Sequence, residues 1–510
     1  MPSQLQPASF AEFAQEAQRG NVVAVARTFA PAAIDPIDAF ARIAGGAGYA
    51  FLFESVEGGE AVANYSFLGA NPQLIVRGRG KQTIVERDGA RETRDECVAD
   101  YVRNHFRLNK LAPNGDLGPL AGGAVGYLGY GAANWFEPAL NKPSPGKSAV
   151  DGNDESAGDD AVWMFYRTVV AFDRLRRQMR IVAIAFTDEA RGNESHLRKL
   201  YHSAVEETDR VEKLLTSTPA VSEFNQPKKL KQTETSVRSN WSRDDFERAV
   251  LEVKEHIMAG DCYQVVLSQR FSRAVSAGPV PIYRKLRQSN PAPYTYLLKL
   301  GDDAIIGASP EMLVRCRGER LDYRPIAGTR RRGATEAEDN LLAEEMRADE
   351  KEVAEHMMLV DLGRNDLGRV AEFGSVKVEE LMLVERYSKV QHLVSSLSAR
   401  LRAGNNRFDA LAACFPAGTV SGAPKVRAME IIRQLEPDQR GVYAGAVLYA
   451  DYADNLDSCI AIRTILLRPG EASVQAGAGI VADSVPAREF EETVHKAHAL
   501  LRAIELAEEE

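Results

Sequence analysis

The sequence predicts a mixed α/β fold, of the α+β or layered α/β kind. Three observations lead there. Strand-like and helical patterns are interleaved along 510 residues. They lack the regular βαβ alternation of a doubly wound sheet. The chain is 45% hydrophobic and 26% charged, enough to bury a large core as two domains or one very large one.

The opening stretch, Met1 to Phe13, has no charged segment followed by an apolar run, so no secretory signal is expected. No apolar run approaches the roughly 18 residues that a membrane span needs. A formal charge of -9 argues against a nucleic-acid partner. Cys97, Cys262, Cys316, Cys414 and Cys459 are scattered and form no CxxC pair, which suggests neither a zinc site nor a disulfide framework. A reducing, cytoplasmic location is the expectation.

Residues 142–160, rich in Pro, Gly, Ser and Asp, read as a surface loop, and 162–172 as a strand. The stretch 216–240 lacks apolar periodicity and reads as a linker between residues 1–215 and 241–510. Ser242 with Asp245 is an acidic variant of a capping box. Phe246, Val250, Val253 and Ile257 recur at helical spacing up to Gly260. Tyr263 to Phe271 alternates as a strand. Further strands are expected at 304–307, 312–315, 443–450 and 459–467, and helices at 338–360, 421–434 and 487–507. Gly123 to Tyr127 faintly echoes Gly445 to Tyr449, too weak a signal to establish a repeat.

Four carboxylates stand out. Glu352 and Glu355 are three apart in one predicted helix, and Glu489 and Glu492 in another. That spacing puts each pair on one helix face. Two such faces brought together would repel unless a cation sat between them, and hard oxygen ligands suit Mg²⁺. The same spacing also fits solvated faces with local ion pairs, such as Glu492 with Lys496. Arg463 lies in Cys459 to Leu467, apolar on both faces and so read as a buried strand. Its guanidinium needs an anion, either an internal carboxylate or one on a ligand. Gln475 to Gly479 reads as a glycine-rich turn after a short strand, with Ser484 capping a helix that opens at Pro486. Gly477, Gly479 and Ala482 match a degenerate dinucleotide fingerprint only weakly, and backbone N–H groups aimed at a small anion fit the sequence as well. His392, in an apolar context, is either a core residue or a catalyst.

Several segments together resemble the chorismate-utilising enzymes, and within them the anthranilate synthase component I family. They are Gly260 to Arg270, Gly307 to Glu311, Pro325 to Arg330, Glu355 to Asp366, Gln391-His392, Pro416 to Lys425, Gln475 to Gly479 and Glu489 to Lys496. The N-terminal half matches through Glu54-Ser55, Tyr65 to Gly69 and Gly122 to Tyr127. The resemblance implies two large, mostly antiparallel sheets packed as a sandwich with helices outside, and a catalytic region at 241–510. It implies Mg²⁺ on Glu355 and Glu492, with Glu352 and Glu489 on the metal's waters. Arg463, Tyr449 and Lys496 would take the enolpyruvyl carboxylate of chorismate. Backbone donors at Gly477, Ala478 and Gly479 would take the ring carboxylate, and Gly328 and Thr329 would line the pocket.

In the implied reaction ammonia adds to the ring, Glu311 protonates the leaving hydroxyl, and His392 removes a proton as pyruvate departs past Thr419. Gln264 stands where related isochorismate synthases carry a water-activating Lys, so an amine is the expected nucleophile. Ala327 and Thr419 differ from the pattern of aminodeoxychorismate synthase component I, the nearest alternative. A separate glutamine amidotransferase subunit is implied, in a heterotetramer of two large and two small subunits. Feedback inhibition by tryptophan is implied at Ser55, Pro293, Tyr294 and Thr295, within residues 1–215 and the turn before a strand. Those prolines could instead simply shape that turn. Thr295 stands where Met is frequent.

Overall fold

The computed structural model describes residues 3–30, 34–55, 65–113, 115, 117–141, 158–217, 236–387 and 389–509. Most of the loop expected at 142–160 and of the linker expected at 216–240 lies outside the described residues. No helix among the described residues is long and apolar enough to cross a membrane.

Two antiparallel sheets form the body. The first has 13 strands. Its centre runs Tyr49–Glu54, Tyr294–Leu300, Asp303–Ser309, Thr464–Arg468, Glu471–Ile480, Gln264–Ala274. The second has 12 strands. It begins Ile326–Arg331, Val390–Arg400, Arg320–Tyr323, Met312–Arg317, Asn455–Ile460, Ala446–Asp451, Gly123–Leu128. The regions on either side of 216–240 share both sheets: Tyr49–Glu54 pairs with Tyr294–Leu300, and Gly123–Leu128 with Ala446–Asp451. The two Gly-Ala-Val segments that echo each other in sequence are therefore neighbouring strands.

Between the sheets Phe51, Phe67, Tyr296, Leu298 and Ile305 of the first meet Val125, Tyr127, Met164, Val447 and Tyr449 of the second. The outer face of the first sheet buries Pro36–Ile43, Pro279–Ser289 and Pro486–Glu508. That of the second buries Val98–Leu108, Glu350–Gly368 and Arg407–Cys414. The architecture is thus the expected sandwich with helices outside, each apolar sheet face finding a partner layer.

Local chemistry sets the elements. Ser242 caps Arg243–Met258 by accepting from Asp245 N–H, as the acidic capping box predicts. The helix expected at 338–360 is two helices, Glu336–Ala348 and Glu350–Gly368. Asp349 breaks the run because its carboxylate accepts from the N–H groups of Lys351 and Glu352, starting the second helix. Two expected strands are each two strands in different sheets. Residues 162–172 divide into Ala161–Tyr166 and Thr168–Asp173, and 459–467 into the end of Asn455–Ile460 and Thr464–Arg468. An apolar run that leaves one sheet to enter the other is buried on both sides of the crossing, so periodicity does not mark where it leaves.

Candidate active site

The second of these crossings creates the site. Arg463 does not lie in a buried strand as its sequence suggests. It sits in the connection at φ +48°, a left-handed conformation that costs a side-chain-bearing residue about 1–2 kcal/mol. Its side chain is exposed to water in a cleft, yet protein surrounds it closely enough that burial lowers its pKa. Among the described residues it makes no ion pair, and the nearest opposing charge is Glu311.

Glu311 follows Asp303–Ser309, and the backbone holds it there: Ile460 N–H donates to Glu311 O at 3.0 Å. Its carboxyl is buried, and burial pushes its pKa to about 8, opposed by Thr419 and by the Arg463 charge. Thr419 lies on the helical turn Gly418–Ser421, and its hydroxyl is buried without a well-formed hydrogen bond among the described residues. At neutral pH Glu311 therefore carries a proton in a water-poor corner, facing a cation and a hydroxyl.

His392 forms the opposite wall. The strands Ile326–Arg331 and Val390–Arg400 slip register between Ala327 and Thr329, a bulge made by Gly328 at φ +63°. His392 Nδ1 stands 3.0 Å from Gly328 O and 3.1 Å from Thr329 Oγ1. A carbonyl can only accept, so Nδ1 carries the proton and Nε2 keeps the lone pair. Burial first, then the Arg463 charge, lower the His392 pKa, which keeps the ring neutral and basic at Nε2. The bulge also reaches the acidic helix: a Cβ on Gly328 would stand 3.2 Å from Glu352 Oε2.

The four glutamates flank the cleft. Burial, then Glu352 and later Glu492, raise the Glu355 pKa. Burial raises that of Glu489, with Glu492 adding to it and Ser484 opposing. The two acidic faces therefore feel each other across the site. Two of the four are held by cations: Arg330 to Glu352 at 2.8 Å and Lys496 to Glu492 at 2.7 Å. The local ion pair Glu492–Lys496 is thus real. No three His, Cys, Asp or Glu side chains among the described residues stand close enough to hold a metal ion as placed. The donor set is nevertheless all-carboxylate and crowded, the chemistry that suits a hard divalent cation.

Gly477, Ala478 and Gly479 are not in a turn. They lie in Glu471–Ile480, opposite Ser268, Leu267 and Val266. The neighbouring strand on the other side pairs only as far as Val474, because Arg463 leaves the sheet there. Beyond it this edge of the backbone opens on the cleft, and Lys496 Nζ donates to Gly477 O at 3.0 Å. Buried Gln264 closes the floor: a Cβ on Gly479 would collide with its Nε2. Ser484 is not the cap of the last helix, which Val485 begins; its hydroxyl accepts from Val481 N–H.

Tyr449 is not in this cleft. Its side chain lies between the sheets against Phe67. The tyrosine that reaches the cleft is Tyr443, whose hydroxyl would stand 2.7 Å from a Cβ on Gly477. The error has a simple origin: both tyrosines lie near one Gly-Ala-Val strand, and only the crossing before Arg463 shows which end meets the site. Arg330 and Lys351 also escaped sequence reading, since surface-like basic residues on a helix and an edge strand carry no signal by themselves.

Tyr449 instead lines a second cavity, of about 80 Å³, between the sheets, together with Ser55, Pro293, Tyr294 and Thr295. The Ser55 hydroxyl is buried there without a hydrogen-bond partner among the described residues. Tyr294 donates to Asp457 at 3.2 Å, and Thr295 to Ala292 O at 3.3 Å. Glu54 at its rim is fully buried on Tyr283, Arg287 and Arg174.

A family model described as chorismate binding enzyme matches residues 48–502. Anthranilate synthase component 1 from Acetivibrio thermocellus is 46% identical over 466 residues, 90% of each chain. The protein of the same name from Synechocystis is 42% identical over 97% of this chain and 98% of its own. Among solved structures, anthranilate synthase component I from Streptococcus pneumoniae superposes with TM-score 0.72 at 34% identity, covering 92% of this chain and 98% of that one. The menaquinone-specific isochorismate synthase from Escherichia coli shares the fold, with TM-score 0.68 at 18% identity and 95% coverage of both.

Proposed function

The chain belongs to the chorismate-binding enzymes, among the anthranilate synthase component 1 proteins, and we propose that its cleft converts chorismate and ammonia to anthranilate and pyruvate with Mg²⁺. The observation that carries this reading is the opposed pair in one cleft: a protonated Glu311 on one wall and a neutral, Nε2-basic His392 on the other, with unpaired Arg463 between them.

Chorismate is a dianion, and each carboxylate needs a cationic or N–H partner. Arg463 and Tyr443, with Lys496 once it leaves Glu492, receive the enolpyruvyl carboxylate. The open backbone edge at Gly477 and Gly479 receives the ring carboxylate, above Gly328 and Thr329, while Ala478 between them pairs with Leu267 in the sheet. Glu355 and Glu492 would hold the metal, with Glu352 and Glu489 on its waters. Bound there, Mg²⁺ supplies electron withdrawal from the ring carboxylate.

Ammonia forms a bond to ring C2 as the C4–oxygen bond breaks, and Glu311 gives its proton so that water leaves. His392 Nε2 then takes the C2 proton, the ring aromatises, and the C3–oxygen bond breaks; the enolate of pyruvate leaves past Thr419 and takes up a proton at its terminal carbon to become pyruvate. Gln264 offers an amide, which is no base at neutral pH, so nothing at this position activates water.

A glutamine amidotransferase subunit would supply the ammonia, in a heterotetramer of two large and two small chains. Tryptophan would inhibit at Ser55, Pro293, Tyr294 and Thr295. The cavity, about 80 Å³, is well below the roughly 300 Å³ at which small-molecule sites begin, so an indole would have to widen it. Asp457 and Cys459 of its wall lead directly to Arg463, which links that widening to the cleft. Chromatography of a reaction containing chorismate, Mg²⁺ and ammonium tests the assignment: anthranilate supports it, whereas aminodeoxychorismate or isochorismate as the end product refutes it.

A further inference from the structure

One buried ion pair outside the cleft touches three of its walls. Arg440 and Glu436 are 1% and 4% exposed at their side chains. Arg440 Nε and Nη2 donate to the two oxygens of Glu436 at 2.8 and 2.7 Å. Nη1 donates to Val420 O at 2.7 Å, and Nη2 also to Val266 O at 2.7 Å. Glu436 Oε1 accepts from the N–H and the hydroxyl of Ser268, each at 2.8 Å. The guanidinium lies 4.7 Å from the Tyr130 ring and 5.5 Å from the Tyr443 ring.

Each of these bonds ends next to a cleft residue. Val420 follows Thr419 on the helical turn Gly418–Ser421, whose four residues are too short to hold themselves in place. Val266 lies two residues beyond Gln264, opposite Gly479. Tyr443 reaches Gly477 with its hydroxyl. A buried charge pair of this kind is weak evidence for stability, since its desolvation offsets its attraction. Its planar fork of fixed donors is well suited to holding three backbones in one geometry.

We propose that Arg440, locked by Glu436, is the positioning residue that sets Thr419, Gln264 and Tyr443 against the substrate. It touches no reacting atom and acts through the carbonyls of Val420 and Val266 and the face of Tyr443. This rests on the reading of the cleft as the site of chorismate amination and pyruvate elimination.

Removing one partner alone would strand a buried charge and risk unfolding. The informative variant is therefore Glu436→Gln/Arg440→Met, which removes both charges and keeps an acceptor for Ser268. Arg440→Lys, which keeps the charge but not the fork, is its companion. Melting temperature, the KM for chorismate, kcat, and the ratio of aminated intermediate to anthranilate are measured on the full chain. The double variant is expected to melt within a few degrees of the parent and to keep KM within about threefold. Its kcat should fall by up to about 10²-fold, the effect of displacing a reacting group by about 1 Å. The intermediate should accumulate, because Thr419 no longer guides the departing side chain. Arg440→Lys should fall between parent and double variant in both kcat and intermediate ratio. A folded double variant with parental kcat and parental product ratio would overturn the proposal. So would a loss of activity that only tracks the loss of folded protein. A parent that makes no anthranilate would defeat the reading of the cleft itself, and a parent that does, beside an unaffected variant, defeats only the role of Arg440.

Discussion

Replacing Glu311 with Gln separates its acid role from its packing role. The side chain is buried, and burial lifts its pKa from an ordinary 4.5 to about 8. A raised carboxyl binds its proton more tightly in the folded state than in the unfolded one. The stability this contributes is complete below about pH 4.5 and is lost as pH rises through about 8. Between pH 7 and pH 9 the folded carboxyl passes from mostly protonated to mostly ionised, while the unfolded one is ionised throughout. Integrating one proton over that interval gives a loss of about 1.4 kcal/mol. Gln has the same shape and cannot ionise, so the stability of Glu311→Gln relative to the parent should rise by about 1.4 kcal/mol from pH 7 to pH 9. Urea denaturation of both proteins at the two pH values measures this, and every other titrating group cancels in the comparison. The same substitution removes the proton donor, so kcat should fall by about 10²–10⁴-fold. The parent's kcat should itself decline as pH rises through about 8. A stability difference that does not change between pH 7 and 9, or a variant with parental kcat, would refute the assignment of Glu311 as a buried, protonated acid.

Three further outcomes follow from the cleft and the inter-sheet cavity. Glu355→Gln or Glu492→Gln should abolish turnover and weaken Mg²⁺ binding at least about 10-fold. Melting should not drop, because like-charge repulsion is relieved; calorimetric Mg²⁺ titration and thermal denaturation check this, and full activity in excess EDTA would exclude the metal role. His392→Met should lower anthranilate formation about 10²-fold or more while the aminated, pyruvyl-bearing intermediate accumulates on chromatography; loss of both products would instead assign His392 to the first step or to folding. Ser55→Phe should fill the cavity and abolish tryptophan inhibition without lowering kcat, and in the parent chorismate should weaken tryptophan binding by the factor by which tryptophan weakens chorismate binding; calorimetry showing independent binding would contradict the coupling.

The sequence made local chemistry legible and left long-range crossings hidden. The spacing of Glu352 with Glu355 and of Glu489 with Glu492 places each pair on a helix face, and the charge of Glu492 is felt at Glu355 on the other helix. Ser242 and Asp245 announce their helix. What periodicity could not show is where a buried chain changes sheets, since 162–172 and 459–467 are apolar on both sides of the crossing. Arg463 gains its exposure from that hidden crossing. The open edge at Gly477–Gly479 exists because the neighbouring strand departs at the same point. Tyr443 and Tyr449 differ only in which end of a strand they occupy, and Arg440 acts through three segments distant in sequence or turned apart. Asp349 is a milder case: an acidic residue inside a helical pattern reads as solvated face until its carboxylate is seen capping a new helix.

A single cleft is proposed to perform both the amination and the elimination. Incubating the chain with chorismate, Mg²⁺ and ammonium, while following anthranilate by fluorescence and pyruvate by a coupled reductase, tests it directly. Both products should form at equal rates, each requiring chorismate, ammonium and Mg²⁺, with no partner chain needed when ammonium is supplied. Pyruvate without anthranilate, an aminated product that retains its side chain, or turnover indifferent to ammonium would contradict it.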